Sequence, residues 1–387
     1  MKDETKIIAG NWPARDTTPA TTINPPCYKG STVLFNCYAD MQKSRRGEYP
    51  GISYGTDRLP TQRQFEEAMR QLEGGAVTRV FQSGIAAIQT ALMAFSGSGD
   101  HILIVDNAYD PGQRFCHKVL QKKYKMECTL VPPNVGAEIE RYLQPNTRLI
   151  LLESPGSITF ELQDIPAITT IARQKNIVTL LDATWATPLY LKPFELGVDA
   201  TIHAVTKYIS GYSDLLAGTV TVGDRYAEQF AEFYKLMKIY TPAEECYQAL
   251  RGMHSLAVRL RQHEQSALTL AKWLQTVPLV DEVLHPALPC HPEHHIWKRD
   301  FRGSSGLFAF TFKKDYSETE LAAFIDSLAL FKLGYSWGGY QSLLTAAKTA
   351  RATPSRYAGK TVIRLSVGLE DCDDLREDLE KGMGMLT

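Results

Sequence analysis

The sequence predicts an α/β protein in which a mostly parallel β-sheet carries helices on both faces. Short apolar runs recur along the middle of the chain and are separated by helical stretches; these runs are HILIVD, RLILLE, NIVTLLD and ATIHAV. Such alternation is typical of parallel sheets, because the connection between two parallel strands is usually a helix. We therefore expect a large α/β domain at the centre of the fold.

The character of the sequence differs on either side of that domain. Residues 1–60 contain many Pro, Thr and Gly residues and little sustained periodicity, which predicts an extended arm. The next stretch, QRQFEEAMRQLEGG, is typical of a helix that ends at a glycine. Beyond a long helical run, the segments GLFAFTFK, ETELAAFIDSL and TVIRLSV predict a smaller α+β domain. We expect the large domain over residues 61–250 and the small domain over residues 251–387.

Composition limits the classes of partner. The 387 residues include 42 basic and 43 acidic ones, with no basic block, so the charge pattern excludes a nucleic acid or an anionic membrane surface as the expected partner. The N-terminal sequence has acidic residues and no apolar signal core, and no segment approaches the roughly 18 apolar residues of a membrane span. A cytoplasmic protein with a small-molecule ligand is expected.

The cysteines and histidines predict neither disulfides nor a metal site. The seven cysteines are scattered and none forms a CxxC motif, which favours a reducing compartment. The segment HPALPCHPEHH is rich in histidine, but its spacings match no zinc pattern and its prolines favour a surface loop. No metal is expected.

Candidate site residues follow the apolar runs, because ligands of open α/β sheets bind outside the carboxyl ends of the strands. NIVTLL ends at Asp182, and ATIHAV is followed by Thr206 and Lys207. Ser83 and Gly84 follow a short strand and begin a helix, whose free amides suit a phosphate. Each has a simpler interpretation: a loop cap, a solvated lysine or a tight turn. Together, an anion site, an amine and a carboxylate match the needs of pyridoxal phosphate.

Ten segments give a resemblance to a known family. They are SGIAAI, DNAYDP, LESPGSITFELQDIPAI, LDATWATP, VTKYISGYSDLLAGT, RLRQH, HPALP, WKRDFRGSSGLF, YSWGGYQSL and VIRLSVGLED. From about residue 22 to 380 the chain resembles the pyridoxal-phosphate enzymes of cysteine and methionine metabolism, the γ-subfamily of fold type I. The resemblance implies a seven-stranded, mostly parallel sheet in the large domain. It also implies β-elimination of L-cystathionine to homocysteine, pyruvate and ammonia, as a step of methionine biosynthesis.

The resemblance also implies how the cofactor is held. Lys207 would bind its aldehyde and move the substrate α-proton, and Asp182 would pair with its pyridine nitrogen. Tyr109 would stack on its ring and approach the substrate. The phosphate would contact the segment from Ser83 to Ile85, including the amides of Gly84 and Ile85, and the hydroxyl of Thr206. Tyr54 would reach the site from a neighbouring subunit of a homotetramer.

Four further residues would bind the substrate. By resemblance, Arg364 is the bidentate partner of the α-carboxylate, a task that suits a planar guanidinium. From the residues alone, an exposed edge-strand arginine is the alternative. Ser336 would hold the carboxylate or the lysine, and Tyr335 and Trp337 would wall the pocket, to which Tyr54 also contributes.

One departure from the family concerns the phosphate. Many members have an arginine two residues after the position of Tyr54, where this chain has Thr56. Either Arg58 substitutes for that arginine, or helix amides and hydroxyls neutralise the phosphate without it. We expect weaker cofactor retention than in relatives that have the arginine.

Several other functions stay open at this point. Cystathionine γ-synthase, cystathionine γ-lyase and methionine γ-lyase share Lys207, Asp182 and Arg364, whereas ESPGSITF and YSWGGY favour β-elimination. Activity on a broader range of cysteine conjugates is a further possibility. A non-catalytic regulator that binds pyridoxal phosphate is the alternative outside enzymes. A dinucleotide enzyme is disfavoured, because no GxGxxG motif begins a helix after a strand.

Overall fold

A computed structural model describes residues 1–9 and 23–386. Within these residues a seven-stranded sheet has the strand order β1-β7-β6-β5-β4-β2-β3. Its strands are β1 (Val77–Phe81), β2 (His101–Val105), β3 (Glu127–Val131), β4 (Thr147–Glu153), β5 (Val178–Asp182), β6 (Ala200–Ala204) and β7 (Gly218–Val222). Only β7 is antiparallel to its neighbours. The predicted α/β fold with a mostly parallel seven-stranded sheet is confirmed.

A second, smaller sheet follows in the sequence. In the described part of the chain it has five strands in the order β10-β11-β12-β9-β8. They are β8 (Val280–Leu284), β9 (Leu307–Phe312), β10 (Lys332–Leu333), β11 (Leu343–Lys348) and β12 (Thr361–Ser366). Strand β12 pairs antiparallel with both β11 and β9, so it lies inside the sheet.

Helices cover these sheets and connect their strands. The α-helices are α1 (Asp3–Ala9), α2 (Tyr38–Arg45), α3 (Pro60–Glu73), α4 (Gly84–Phe95), α5 (Asp110–Phe115), α6 (Gln121–Tyr124), α7 (Ile165–Gln174), α8 (Thr187–Tyr190), α9 (Ala227–Met237), α10 (Ala243–Leu274), α11 (His294–Asp300), α12 (Glu318–Asp326) and α13 (Cys372–Met383). A π-helix (Cys116–Leu120) joins α5 to α6. None of the helices in the described ranges is long and apolar enough to cross a membrane.

Burial explains why apolar runs form the central strands. Every residue of β2, β5 and β7 is buried, which fits strands covered by helices on both faces. Helix α3 begins with Pro60 and ends at Gly74, whose φ of 84° lies in the left-handed region that glycine adopts at helix ends. The glycine stop expected from the sequence lies at this position.

The described part of the N-terminal segment, expected as an extended arm, includes two short helices, α1 and α2. The side chain of Ile7 in α1 is buried against a cluster that contains Phe65 of α3. Residues 10–22, part of the expected arm, lie outside the described residues. Helix α10 runs through the expected boundary between residues 250 and 251, so the division into domains stays a prediction.

Two buried histidines give the fold an expected dependence on pH. Burial lowers the pKa of both His285 and His291 to about 3, so both are neutral in the folded protein at neutral pH. Unfolding exposes them, and below about pH 6.5 the unfolded chain then binds protons that the folded chain does not. Stability is therefore complete above pH 6.5 and falls as the pH drops from 6.5 towards 3.

We expect His285→Asn/His291→Asn to flatten this pH dependence. Between pH 7.5 and 5 the wild type should lose about 2 kcal/mol more per histidine than the variant. Urea unfolding at both pH values measures the difference. The prediction is wrong if the pH dependence is the same in the two proteins, whatever their absolute stabilities.

Candidate active site

A cavity opens at the carboxyl ends of the parallel strands and is bordered by the second sheet. Nine of the residues predicted for the site line it; they are Ser83, Gly84, Ile85, Tyr109, Asp182, Thr206, Lys207, Trp337 and Arg364. They come from six separate segments of the chain, so the fold brings together residues up to 281 positions apart. The rule that ligands bind at this edge of the sheet accounts for their convergence.

Lys207 lies in the turn after β6, and its amine points into the cavity. Its Nζ donates a 2.6 Å hydrogen bond to Oγ of Ser336 and lies 5.3 Å from the centre of the Trp337 ring. Burial lowers the pKa of Lys207 to about 8, and the nearby Arg364 acts in the same direction. An amine with this pKa has a substantial neutral fraction at neutral pH, and so it can attack an aldehyde or accept a proton.

A buried arginine fixes the backbone next to Lys207. Arg259 of α10 donates to the carbonyl of Tyr208 at 2.8 Å and to that of Gly252 at 2.8 Å. Gly211 packs against this guanidinium with φ of 77°, and a Cβ there would lie 2.0 Å from Nη1. Sequence reasoning quoted Arg259 only within RLRQH and missed its contribution. Its helical neighbours Ser255, Gln262 and His263 are also polar, so the sequence pattern did not single it out.

Asp182 ends β5, and its carboxylate forms the floor of the cavity. Its Oδ1 accepts hydrogen bonds from the amide of Thr184 at 3.0 Å and from the Thr184 hydroxyl. Burial raises the pKa of Asp182, while these two hydrogen bonds act in the opposite direction. Such a carboxylate suits a protonated ring nitrogen, because a cation in the cavity would stabilise its charge.

The start of α4 provides an anion site. Ser83 caps this 12-residue helix by accepting the amide of Ala86 at 3.1 Å. The amides of Gly84 and Ile85 head the helix, where no preceding turn supplies a carbonyl partner. Gly84 is required by packing, because a Cβ there would lie 2.6 Å from Cβ of Ala204. The nearby Thr206 hydroxyl is hydrogen-bonded to the main chain of Ala217.

Arg364 enters the cavity from the second sheet. Because β12 is paired on both sides, the interpretation of Arg364 as an exposed edge-strand arginine is wrong. Its Nη2 donates to the carbonyl of Ser336 at 3.2 Å. Ser336 has φ of 83°, a strained conformation for a non-glycine residue, and its hydroxyl contacts Lys207. Ser336 therefore links the guanidinium and the amine.

Tyr109 is held by a residue that sequence reasoning missed. The amide of Tyr109 donates to Oε2 of Glu153 at 2.5 Å, and Glu153 lines the same cavity. Burial, with the neighbouring Asp182, raises the pKa of Glu153 to about 8. Glu153 is the polar residue that ends the run RLILLE, so the rule that selected Asp182 would also have found Glu153.

Apart from Ser336, which contacts Lys207, three predicted site residues do not line the cavity of their own chain. Tyr54 is 51% exposed and forms an isolated bridge with Thr32. Tyr335 is 94% exposed. Arg58 forms a 2.7 Å ion pair with the buried Glu66. A role for Tyr54 or Arg58 in a neighbouring subunit's site stays a prediction.

Comparison with known proteins identifies the family. The model of the Cys/Met metabolism PLP-dependent enzymes matches residues 4–384, so the chain belongs to this family of pyridoxal-phosphate enzymes. Curated relatives named cystathionine beta-lyase match most of the chain at 37 to 44% identity. One of them is a putative cystathionine beta-lyase from Rhizobium johnstonii, 44% identical over 93% of this chain and 91% of that protein.

Other relatives differ in name. An L-alanine/L-glutamate racemase from Wolbachia pipientis is 36% identical over 100% of this chain and 98% of that protein. The crystal structure of metB from Corynebacterium glutamicum matches with a TM-score of 0.90 at 29% identity, covering 100% of this chain and 99% of that chain. The fold is thus shared by relatives with different names, and the chemistry must be argued from the site.

The residues of the cavity fit the family's cofactor. A partly neutral lysine, a buried carboxylate and a helix start with flanking hydroxyls stand around one cavity, and pyridoxal phosphate has an aldehyde, a ring nitrogen and a phosphate to match them. The fit rests on the donor set described above, and it agrees with the family's dependence on pyridoxal phosphate.

The absence of the usual phosphate arginine has an expected consequence for cofactor retention. We expect Thr56→Arg to slow the loss of cofactor during dialysis, because a guanidinium beside a phosphate adds a charge-assisted hydrogen bond. If Arg58 serves this phosphate, Arg58→Ala should speed the loss.

Arg79→Ala is the matched control, because Arg79 also faces Glu66, at 3.6 Å. Residual cofactor is followed by its absorbance. Equal retention in Arg58→Ala and Arg79→Ala would exclude the role of Arg58.

Proposed function

We propose that this protein is a carbon–sulfur lyase that converts L-cystathionine to homocysteine, pyruvate and ammonia by β-elimination. Membership in the family supports a pyridoxal-phosphate enzyme acting on a sulfur amino acid, and the names of several relatives support the β-lyase reaction. The observation that carries the proposal is the meeting of Lys207, Asp182 and Arg364 in one cavity. These groups can hold the cofactor, hold the substrate and move a proton.

In this proposal each part of the cofactor has its own partner. Lys207 would hold the aldehyde, Asp182 would pair with the pyridine nitrogen, and Tyr109 would contact the ring. The segment Ser83–Ile85 and the Thr206 hydroxyl hold the phosphate. When bound, the cofactor supplies an electron-accepting ring that makes the substrate's α-hydrogen acidic.

The chain's own residues bind the substrate and move its protons. Arg364 binds the α-carboxylate through two parallel N–H groups. Nζ of Lys207 accepts the α-proton, and the Ser336 hydroxyl, 2.6 Å away, orients the amine for this transfer. As the bond between Cβ and sulfur breaks with its electron pair on sulfur, Lys207 or Tyr109 donates a proton to the leaving thiolate. Water then releases pyruvate and ammonia from the remaining three-carbon fragment.

The proposal includes a homotetramer in the cytoplasm. The sequence resemblance supports active sites shared between subunits, with Tyr54 crossing from one subunit to the next. The seven cysteines, all free, support a reducing compartment. The substrate in this proposal is a small amino acid, and neither a nucleic acid nor a membrane takes part.

A broader activity on cysteine S-conjugates is a second candidate. Besides the charged residues, the cavity lining is largely apolar and includes Ile158, Phe160, Trp185 and Leu216. An apolar wall accepts alkyl groups on sulfur and discriminates weakly among them. This observation favours turnover of several thioether amino acids over strict selection of one.

Product analysis tests the proposed reaction. With cystathionine we expect pyruvate and homocysteine in equal amounts, and Lys207→Ala should abolish both because no other amine replaces it. Chromatography of the products measures the outcome. If 2-oxobutyrate and cysteine appear, the γ-carbon is attacked and the proposal is wrong. Racemisation of alanine or glutamate without pyruvate release would also contradict it.

Substitution of Arg364 tests substrate binding. Arg364→Lys keeps the charge but removes the second parallel N–H group, so kcat/KM should fall about 10- to 100-fold. The absorbance of the bound cofactor should change little, because lysine keeps the positive charge that acts on Lys207. Steady-state kinetics with cystathionine, compared with the cofactor spectrum, measures both effects. A changed spectrum with normal kcat/KM would contradict the assignment.

A further inference from the structure

Two carboxyl groups lie side by side on the floor of the cavity. Glu153 ends β4 and Asp182 ends β5, and the two residues are register partners on these parallel strands. Asp182 is buried, Glu153 is half-buried, and both line the cavity. Two adjacent carboxylates in a buried site do not both ionise readily, because each charge disfavours the other.

The hydrogen bonds of Asp182 favour its ionised form. Its Oδ1 accepts the Thr184 amide and the Thr184 hydroxyl. That hydroxyl oxygen also accepts the amide of Ala204 at 2.9 Å, so its own hydrogen is directed at Asp182. Both groups therefore donate to Asp182, and neither is placed to accept a hydrogen from it.

The hydrogen bonds of Glu153 leave room for a proton. Oε2 accepts the amide of Tyr109 at 2.5 Å, and Oε1 is 2.6 Å from Oγ of Ser157. The Ser157 hydroxyl can either donate to Oε1 or accept a hydrogen from it. A neutral carboxyl group at Glu153 thus satisfies both contacts, with its proton on Oε1.

Glu153 also connects two loops that carry cavity residues. The loop after β2 leads to Tyr109 at the start of α5, and the loop after β4 includes Ile158 and Phe160, which have φ of 71° and 56°. These loops are joined a second time where Ser157 donates its amide to the carbonyl of Asn107 at 2.8 Å. Left-handed conformations at non-glycine residues persist only where contacts enforce them, and the contact between Glu153 and Ser157 lies directly before Ile158.

We propose that Glu153 is a positioning residue that acts as a neutral carboxyl group: it holds Tyr109 against the cavity and leaves Asp182 as the charged member of the pair. The inference rests on the proposed function for the role of Tyr109, but not for the protonation of the pair. Burial and the neighbouring Asp182 raise the pKa of Glu153 to about 8, in agreement with a proton held at neutral pH.

The test compares Glu153→Gln, Glu153→Ala and Asp182→Asn. Glutamine is neutral, offers an oxygen to the Tyr109 amide and can donate to Ser157. The Glu153→Gln variant should therefore bind the cofactor with wild-type affinity and show the wild-type absorbance spectrum across pH 6 to 9. Its kcat/KM should stay within about threefold of the wild-type value. Asp182→Asn should alter the spectrum and weaken cofactor binding. Glu153→Ala should lower kcat/KM about 10- to 100-fold, because Tyr109 loses its contact.

A double-mutant cycle separates positioning from general damage. In a Tyr109→Phe background, Glu153→Ala should lower kcat/KM less than it does in the wild type, since part of its effect acts through Tyr109. Glu161→Gln is the matched control, because it changes a carboxylate of the same loop that contacts Thr159 and Arg351 instead of Tyr109. Its effect on kcat/KM should be the same in both backgrounds.

Two outcomes would overturn the inference. If Glu153→Gln alters the cofactor spectrum as Asp182→Asn does, Glu153 acts as an anion. If Glu153→Ala is additive with Tyr109→Phe, Glu153 does not position Tyr109. The spectral comparison needs no turnover, so it decides the protonation of Glu153 even if the protein fails to cleave cystathionine.

Discussion

The parallel arrangement of β4, β5 and β6 is the constraint on which the site depends. The carboxyl ends of parallel strands lie at the same edge of a sheet, so the residues that follow these strands are close together there. In this protein those residues include Glu153 and Asp182, while the turn after β6 contributes Lys207. Helices on both faces bury the strands, and this burial lowers the pKa of the lysine and raises that of the glutamate. Topology thus sets the electrostatics of the cavity.

The positions of these groups rely on close packing around small residues. Gly84 lets the start of α4 approach β6, and Gly211 leaves room for the guanidinium of Arg259 beside the lysine turn. Ser336 accepts a strained backbone while it contacts Lys207 through its hydroxyl and Arg364 through its carbonyl. Such strain is sustained only where the surrounding contacts over-determine it. These contacts fix the orientation of the amine and the guanidinium.

Sequence patterns predicted the four central strands β2, β4, β5 and β6 because most of their residues are buried on both faces. A continuous apolar run such as NIVTLLD is typical of a strand that helices cover on both faces. The first polar residue after such a run marks the edge of the sheet where ligands bind. This reasoning located Asp182 and Lys207. Applied to every run, it would also have located Glu153.

Other features of the site could not be predicted from the sequence, because they depend on strand pairing and on packing between distant residues. The interior place of β12, and hence the inward direction of Arg364, follows from its two neighbours in the second sheet. Arg259 is distant in sequence from the carbonyl groups that it holds. Tyr335 lies next to two residues of the site, yet its side chain is almost wholly exposed. Adjacency in sequence is a poor guide in a loop, where successive side chains have no fixed period.

Helix α10 has a mechanical consequence for the protein. One part of it packs with α3 through residues such as Met253, while its last turns belong to the core of the second sheet through residues such as Leu270. Arg259 lies between these two regions and holds the backbone beside Lys207. Helix α10 is continuous over 32 residues, so these regions belong to one element. A displacement of the smaller sheet would therefore be transmitted through α10 to the backbone beside Lys207.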